Sequence, residues 1–105
     1  MLDKNYDIWE ILENKIKISE KLDEDSYFLF KGNFINIIKA QNGSRILQKS
    51  LNKTSAEILS CILFEIKDVL HELMTNSYAN YFCQKFYDFL DFREKIIFLS
   101  KVKFI

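Results

Sequence analysis

A short figure occurs twice in this chain, as Gly43-Ser44-Arg45-Ile46-Leu47-Gln48 and as Ala79-Asn80-Tyr81-Phe82-Cys83-Gln84, the second copy 36 positions after the first. Both copies read small, polar, flat, two apolar residues, glutamine. Self-similarity at a period of about 20 to 50 residues marks architectures in which a unit too small to bury its own apolar face stacks on a neighbour of the same kind. What the units are made of follows from two rare residues. With no proline and only Gly32 and Gly43 as glycines in 105 residues, almost nothing removes a backbone donor or frees the chain from helical angles. The expectation is an all-α fold in one domain, with 49% apolar content to fill its core.

The order of elements repeats with the figure. Over residues 6–22, Ile8, Ile11, Leu12 and Ile16 fall at helical spacing among charged residues, which predicts an amphipathic helix capping the stack. Asp23-Glu24-Asp25-Ser26 marks a turn with capping residues. Phe34, Ile35, Ile37 and Ile38 predict a short buried helix over 33–40, closed by Gln41-Asn42-Gly43 as a left-handed cap. A second helix is expected from Ser44 to about Leu51. Thr54 and Glu57 match a capping box for a third, which buries Ile58, Leu59, Ile62, Leu63 and Ile66. The same three-helix order recurs. Val69, Leu70, Leu73 and Met74 form a first helix ending near Thr75-Asn76-Ser77, residues 79–89 a second, and Asp91 with Glu94 open a third that buries Ile96, Ile97 and Leu99. Asp91 lies 37 positions after Thr54, so the second unit is expected to carry one extra loop residue.

Charge and reactive groups narrow the function. Net charge is zero, but residues 1–30 carry 4 basic against 8 acidic side chains and residues 31–105 carry 11 against 7, so the repeating part is mildly basic. Cys61 and Cys83 have neither metal-ligand nor disulfide spacing; both are expected to be buried apolar fillers in a reducing compartment. His71 stands beside Glu72 with no supporting constellation, which argues against catalysis: no catalytic, metal or cofactor residues are assigned, and the chain is read as not an enzyme. Phe28, Phe30, Phe34, Phe86, Phe89 and Phe92 are expected to pack in the core and between units. No leader pattern and no apolar run of membrane length is present, and the expected location is cytoplasmic.

The repeated figure divides on a helical wheel. At about 100° per residue, Ser44, Arg45 and Gln48 share one face, and Ile46, Leu47, Ser50 and Leu51 lie roughly opposite. Asn80, Tyr81 and Gln84 repeat the first face; Phe82, Cys83, Phe86 and Tyr87 repeat the second. The first face is expected to meet solvent, with Lys49 and Lys85 flanking it. A flat Arg or Tyr side chain stacks on a nucleobase, and an amide, having both donor and acceptor, pairs with a base edge. Stacked helical units carrying one such set each would read one base each.

On these residues the chain resembles the Pumilio (PUF) family, in the stretch Ile38 to Gln48 and again from Leu70 to Gln84, with GSRILQ and ANYFCQKF as the strongest matches. The resemblance covers roughly residues 32–103. It implies a right-handed α-solenoid of three-helix PUF-type repeats, with residues 1–31 as N-terminal capping segment and repeats over 32–66 and 67–105. It also implies sequence-specific binding of single-stranded RNA, probed through mRNA 3′ untranslated regions, to control translation or decay. Ser44 with Gln48 resembles the family's adenine-reading pair and Asn80 with Gln84 its uracil-reading pair, with Arg45 and Tyr81 stacking, together 5′-UA-3′. Ala79 stands where glycine is customary, which is expected to shift the start of that helix slightly. Only two repeats are present and the chain ends on Lys103-Phe104-Ile105, so a fragment is expected, with further repeats or a protein partner against that apolar end. The alternative is a helical scaffold for protein contacts with a vestigial RNA surface. A code-free nucleolar relative is a further variant, against which the intact pairs argue.

Overall fold

The computed structural model describes residues 8–19 and 21–102. Among them every regular element is helical. The elements are α1 (Ile8–Ser19), α2 (Glu24–Phe30), α3 (Phe34–Lys39), α4 (Gln41–Ser50), α5 (Ala56–Ile66), α6 (Leu70–Thr75), α7 (Ala79–Asp88) and α8 (Phe92–Lys101), with single 3₁₀ turns at Leu51–Lys53 and Lys67–Val69. The three-helix order expected of each unit is present in α3–α5 and in α6–α8. Helix α6 starts and ends 36 positions after α3, and the N-caps Ser55 and Asp91 keep the same interval.

Those caps correct one expectation. Ser55, not Thr54, accepts from the Ile58 amide at 3.2 Å, while Thr54 Oγ1 donates to the Ser50 carbonyl at 2.7 Å and accepts from the Leu22 amide at 3.3 Å. Thr54 thus ties α4 to the segment before α2, and the extra loop residue inferred from it disappears. In the second unit the capping box is present as expected: Asp91 accepts from the Glu94 amide at 2.8 Å and Glu94 from the Asp91 amide at 3.1 Å. Helix α2 is an addition to the expected elements. Asp23 caps it by accepting from the Ser26 amide at 2.8 Å, a bond that holds the Asp23 carboxyl below its ordinary range.

The core runs continuously between the units. Phe30, Phe34, Ile37, Ile38, Leu47, Ile62, Ile66, Leu70, Leu73, Phe82 and Phe86 are all closed to solvent. Tyr27 stacks on Phe34 with ring centres 5.7 Å apart, and Phe82 on Phe86 at 5.2 Å. The middle helices form a row, α4 packing against α1 on one side and α7 on the other, while α5 packs on α3 and α8. Ile16 of α1 is buried; the side chains of Ile8 and Leu12 lie outside the described residues, as do Lys103, Phe104 and Ile105. Each pair of equivalent helices has one polar tie. Lys39 of α3 pairs with Glu72 of α6 at 2.8 Å, Ser44 of α4 donates to the Tyr78 carbonyl before α7 at 2.9 Å, and Ser60 of α5 donates to Glu94 of α8.

Gly43 is not a left-handed cap. Helix α4 begins at Gln41, one residue after α3 ends, so Gly43 lies in its first turn, and the positive φ belongs to Gly32 at 86°. What requires glycine at 43 is proximity: a Cβ there would stand 2.2 Å from the Ile37 carbonyl oxygen. In the second unit Asn76-Ser77-Tyr78 separates α6 from α7, α7 starts two positions later than a strict period places it, and Ala79 fits fully buried.

The outward surface corrects other expectations. Phe28, Phe92, Ile96 and Leu99 are half to four-fifths exposed, Phe89 and Ile97 over a third, and Cys61 is exposed, whereas Phe30, Phe34, Phe86 and Cys83 are buried as expected. Leu63 is covered in α5, but Leu99, its counterpart 36 positions on, is not, because among the described residues nothing packs on α8 as α8 packs on α5.

Candidate nucleic-acid interface

Helices α4 and α7 lie side by side, which brings the two copies of the figure together. The apolar half of each wheel goes inward as expected. Ile46, Leu47 and Leu51 are buried in the first unit, and Phe82, Cys83 and Phe86 in the second, with Tyr87 partly buried. Ser50 also points inward, its hydroxyl bonded to the Leu47 carbonyl at 2.8 Å within its own helix. Burial pushes the Cys83 thiol up to about 12, so it stays an uncharged filler.

The opposite face is not uniform. Arg45 and Tyr81, the flat residues, are exposed, Tyr81 by 62%, and both are free to stack. Arg45 Nη2 donates to Asn42 Oδ1 at 3.1 Å, one turn back, which holds the guanidinium against α4. Lys49 and Lys85 are exposed, as the wheel expects. Beside Arg45 runs an open groove of about 560 Å³ between α1 and α4, lined by Glu13, Ile16, Ile46, Lys49, Asn52 and Lys53. Ser44 departs from the expectation of a solvent-facing residue: it is 2% exposed. The wheel of a single helix cannot show that the turn before α7 covers this position, and Ser44 Oγ is bonded into that turn. Gln48, partly exposed, donates from Nε2 to Ser44 Oγ at 3.1 Å.

The second copy is built alike with different partners. Asn80 is partly exposed and Gln84 exposed. Asn80 Nδ2 donates to the carbonyls of Asn76 at 2.6 Å and Ser77 at 3.2 Å, and Gln84 Nε2 donates to Asn80 Oδ1 at 3.3 Å. Asn76 itself accepts from the amides of Tyr78 and Ala79 at 3.0 and 2.9 Å, satisfying donors at the start of α7. Asn76 was legible only as the end of the preceding helix; its side-chain role depends on the three-residue link that follows. Each copy therefore presents a flat side chain and, one turn on, a primary amide with unused hydrogen-bonding capacity. His71 lies exposed on α6, away from both sets.

The comparisons agree with this arrangement. A model of the Pumilio-family RNA binding repeat matches residues 33–67 and 70–102, more than half of the chain. The chain is 29% identical over 101 residues to Pumilio domain-containing protein C4G8.03c of Schizosaccharomyces pombe, an alignment spanning 95% of this chain and 13% of that protein. It is 28% identical over 75 residues to Pumilio domain-containing protein C6G9.14 of the same organism, spanning 71% of this chain and 11% of that protein. The chain thus corresponds to a small part of these relatives' length. No solved structure matches it. Two family matches falling on α3–α5 and α6–α8 place this chain in the Pumilio family of RNA-binding repeats.

Proposed function

We propose that the α4–α7 face binds single-stranded RNA, one base per unit, with Arg45 and Tyr81 stacking on bases, Gln48 reading adenine in the setting of Ser44, and Gln84 with Asn80 reading uracil, as 5′-UA-3′. The observation that carries this reading is the placement of the same three residue types at the same positions of two adjacent helices, flat side chains outward. In the cell the target is messenger RNA, in 3′ untranslated regions, and the outcome is control of translation or decay in the cytoplasm. Stacking contributes on the order of 1 to 3 kcal/mol per base and base pairing discriminates by a similar amount, so two bases support a Kd of roughly millimolar to high-micromolar. High affinity therefore needs more reading positions than these two. Fluorescence polarisation with short RNAs containing UA, UG and CA tests the reading: UA binds best and the double substitution Gln48→Ala with Gln84→Ala removes the preference. Equal binding of all three sequences would sink it.

A second reading, a scaffold for protein contacts, draws on the exposed apolar side chains Phe28, Phe64, Phe92, Ile96 and Leu99. Light scattering separates the two, since a strictly monomeric chain across concentration counts against an adhesive surface.

A further inference from the structure

Both glutamines are oriented from behind, by backbone carbonyls at the junction between the units. A carbonyl oxygen only accepts, so the single proton of Ser44 Oγ goes to the Tyr78 carbonyl 2.9 Å away. Lone pairs are what remain on Ser44 Oγ. Gln48, 3.1 Å away, must therefore meet them with its amide nitrogen and not its oxygen. The second copy reaches the same result by another route. Asn80 Nδ2 has the carbonyls of Asn76 and Ser77 at 2.6 and 3.2 Å, which occupy both its hydrogens, so Oδ1 is the atom left for Gln84 Nε2 at 3.3 Å. The choice between amide oxygen and nitrogen, which shape alone does not decide, is here decided by acceptors that cannot change role.

We propose that Ser44 and Asn80 are positioning residues that fix the polarity of Gln48 and Gln84, leaving each glutamine to face the base with Oε1 and its second N–H in a set order. Ser44, 2% exposed, acts from inside the junction without touching the base. The proposal rests on the RNA reading above and says where its discrimination comes from. Adenine offers an amine donor next to a ring-nitrogen acceptor, whereas guanine offers a carbonyl acceptor next to an N–H donor in the same places. Uracil and cytosine differ from each other in the same reversed way. An amide free to flip by half a turn satisfies either order; one held by a relay satisfies one.

Nuclear magnetic resonance on the labelled chain tests this. In Ser44→Ala the side-chain amide signals of Gln48 are expected to move toward those of a free glutamine, and the Tyr78 carbonyl carbon to shift. Titration with RNAs containing UA and UG should give a preference for UA of about fivefold or more in the unmodified chain, and under about twofold in Ser44→Ala. A lowered melting temperature with the preference intact would mean that Ser44 only supports the fold, and would overturn the proposal. Unchanged Gln48 signals in Ser44→Ala would overturn it as well. Should the unmodified chain bind neither RNA, the RNA reading fails while the Gln48 signals still decide the relay. If Ser44→Ala does not fold, Gln48→Glu replaces the donor by an acceptor of the same shape and should draw the Ser44 proton away from Tyr78. A Tyr78 carbonyl signal that stays in place there overturns the relay.

Discussion

Replacing Gly43 by alanine isolates how tightly the first unit is folded back on itself. By helix propensity alone the change is favourable, by up to about 1 kcal/mol in a helix interior and less in a first turn. The geometry opposes it. The new Cβ would stand 2.2 Å from the Ile37 carbonyl oxygen and 2.9 Å from Ile37 Cγ2, while ordinary carbon–oxygen contacts begin near about 3.3 Å. Helices α3 and α4 would have to separate by about 1 Å, and only Ala40 lies between them to absorb the shift. Overpacking of this kind costs about 1 to 3 kcal/mol, so the net effect is a loss of about 1 to 2 kcal/mol, or about 4 to 16 °C in melting temperature for a domain of this size. Thermal unfolding followed by circular dichroism measures it. Ala79→Gly is the matched control: at the equivalent place in the second unit the methyl is accommodated, and its removal should also destabilise, by about 1 kcal/mol. A Gly43→Ala chain that melts at or above the unmodified temperature would refute the close-approach argument.

Other consequences are quick to check. Ser55→Ala should cost about 1 kcal/mol in chemical denaturation by uncapping α5, whereas Glu57→Ala, which makes no capping box, should stay within about 0.5 kcal/mol. A thiol reagent should modify the exposed Cys61 promptly and Cys83, buried with its thiol pushed up to about 12, only on unfolding; mass spectrometry of the native chain should show a single adduct. Asp23 is held below its ordinary carboxylate value by the Ser26 amide, and Asp68 by Lys101 and Lys67. Their contribution is full above the unfolded value and is lost as pH falls through the folded one, so melting temperature should decline only at pH below the ordinary carboxylate range. Asp23→Asn, which still caps but does not titrate, should show a smaller decline.

How much of this was legible in the residues differs between the two sides of each helix. The inward halves of α4 and α7 followed from the wheel, because apolar residues at helical spacing have one place to go. Ser44 did not, since its burial comes from the turn before α7, a neighbour that no single-helix pattern contains. Thr54 and Ser55 are adjacent possible caps, and the period itself favours Ser55, 36 positions before Asp91; the Glu57 signal misled because a capping box needs both bonds. Cys61, Phe28 and Phe92 were assigned to the core by residue type, yet they lie on the outer side of the stack. A charge reversal was hidden too. Glu65 accepts from the amides of Gly32 and Phe34 at 2.8 Å, and 36 positions on Lys101 pairs with Asp68 at 3.2 Å, the same join made with opposite charge.

The central claim is that α4 and α7 together form one RNA-reading face. Its most direct test is a chemical-shift titration of the isotopically labelled chain with a short RNA containing 5′-UA-3′ and with its reversed partner 5′-AU-3′. The account predicts saturable shifts centred on the Gln48 and Gln84 side-chain amides and the Tyr81 ring, a Kd in roughly the millimolar to high-micromolar range, and weaker binding of the reversed sequence. Shifts confined to α2, α5 and α8, or equal for the two sequences, would contradict it.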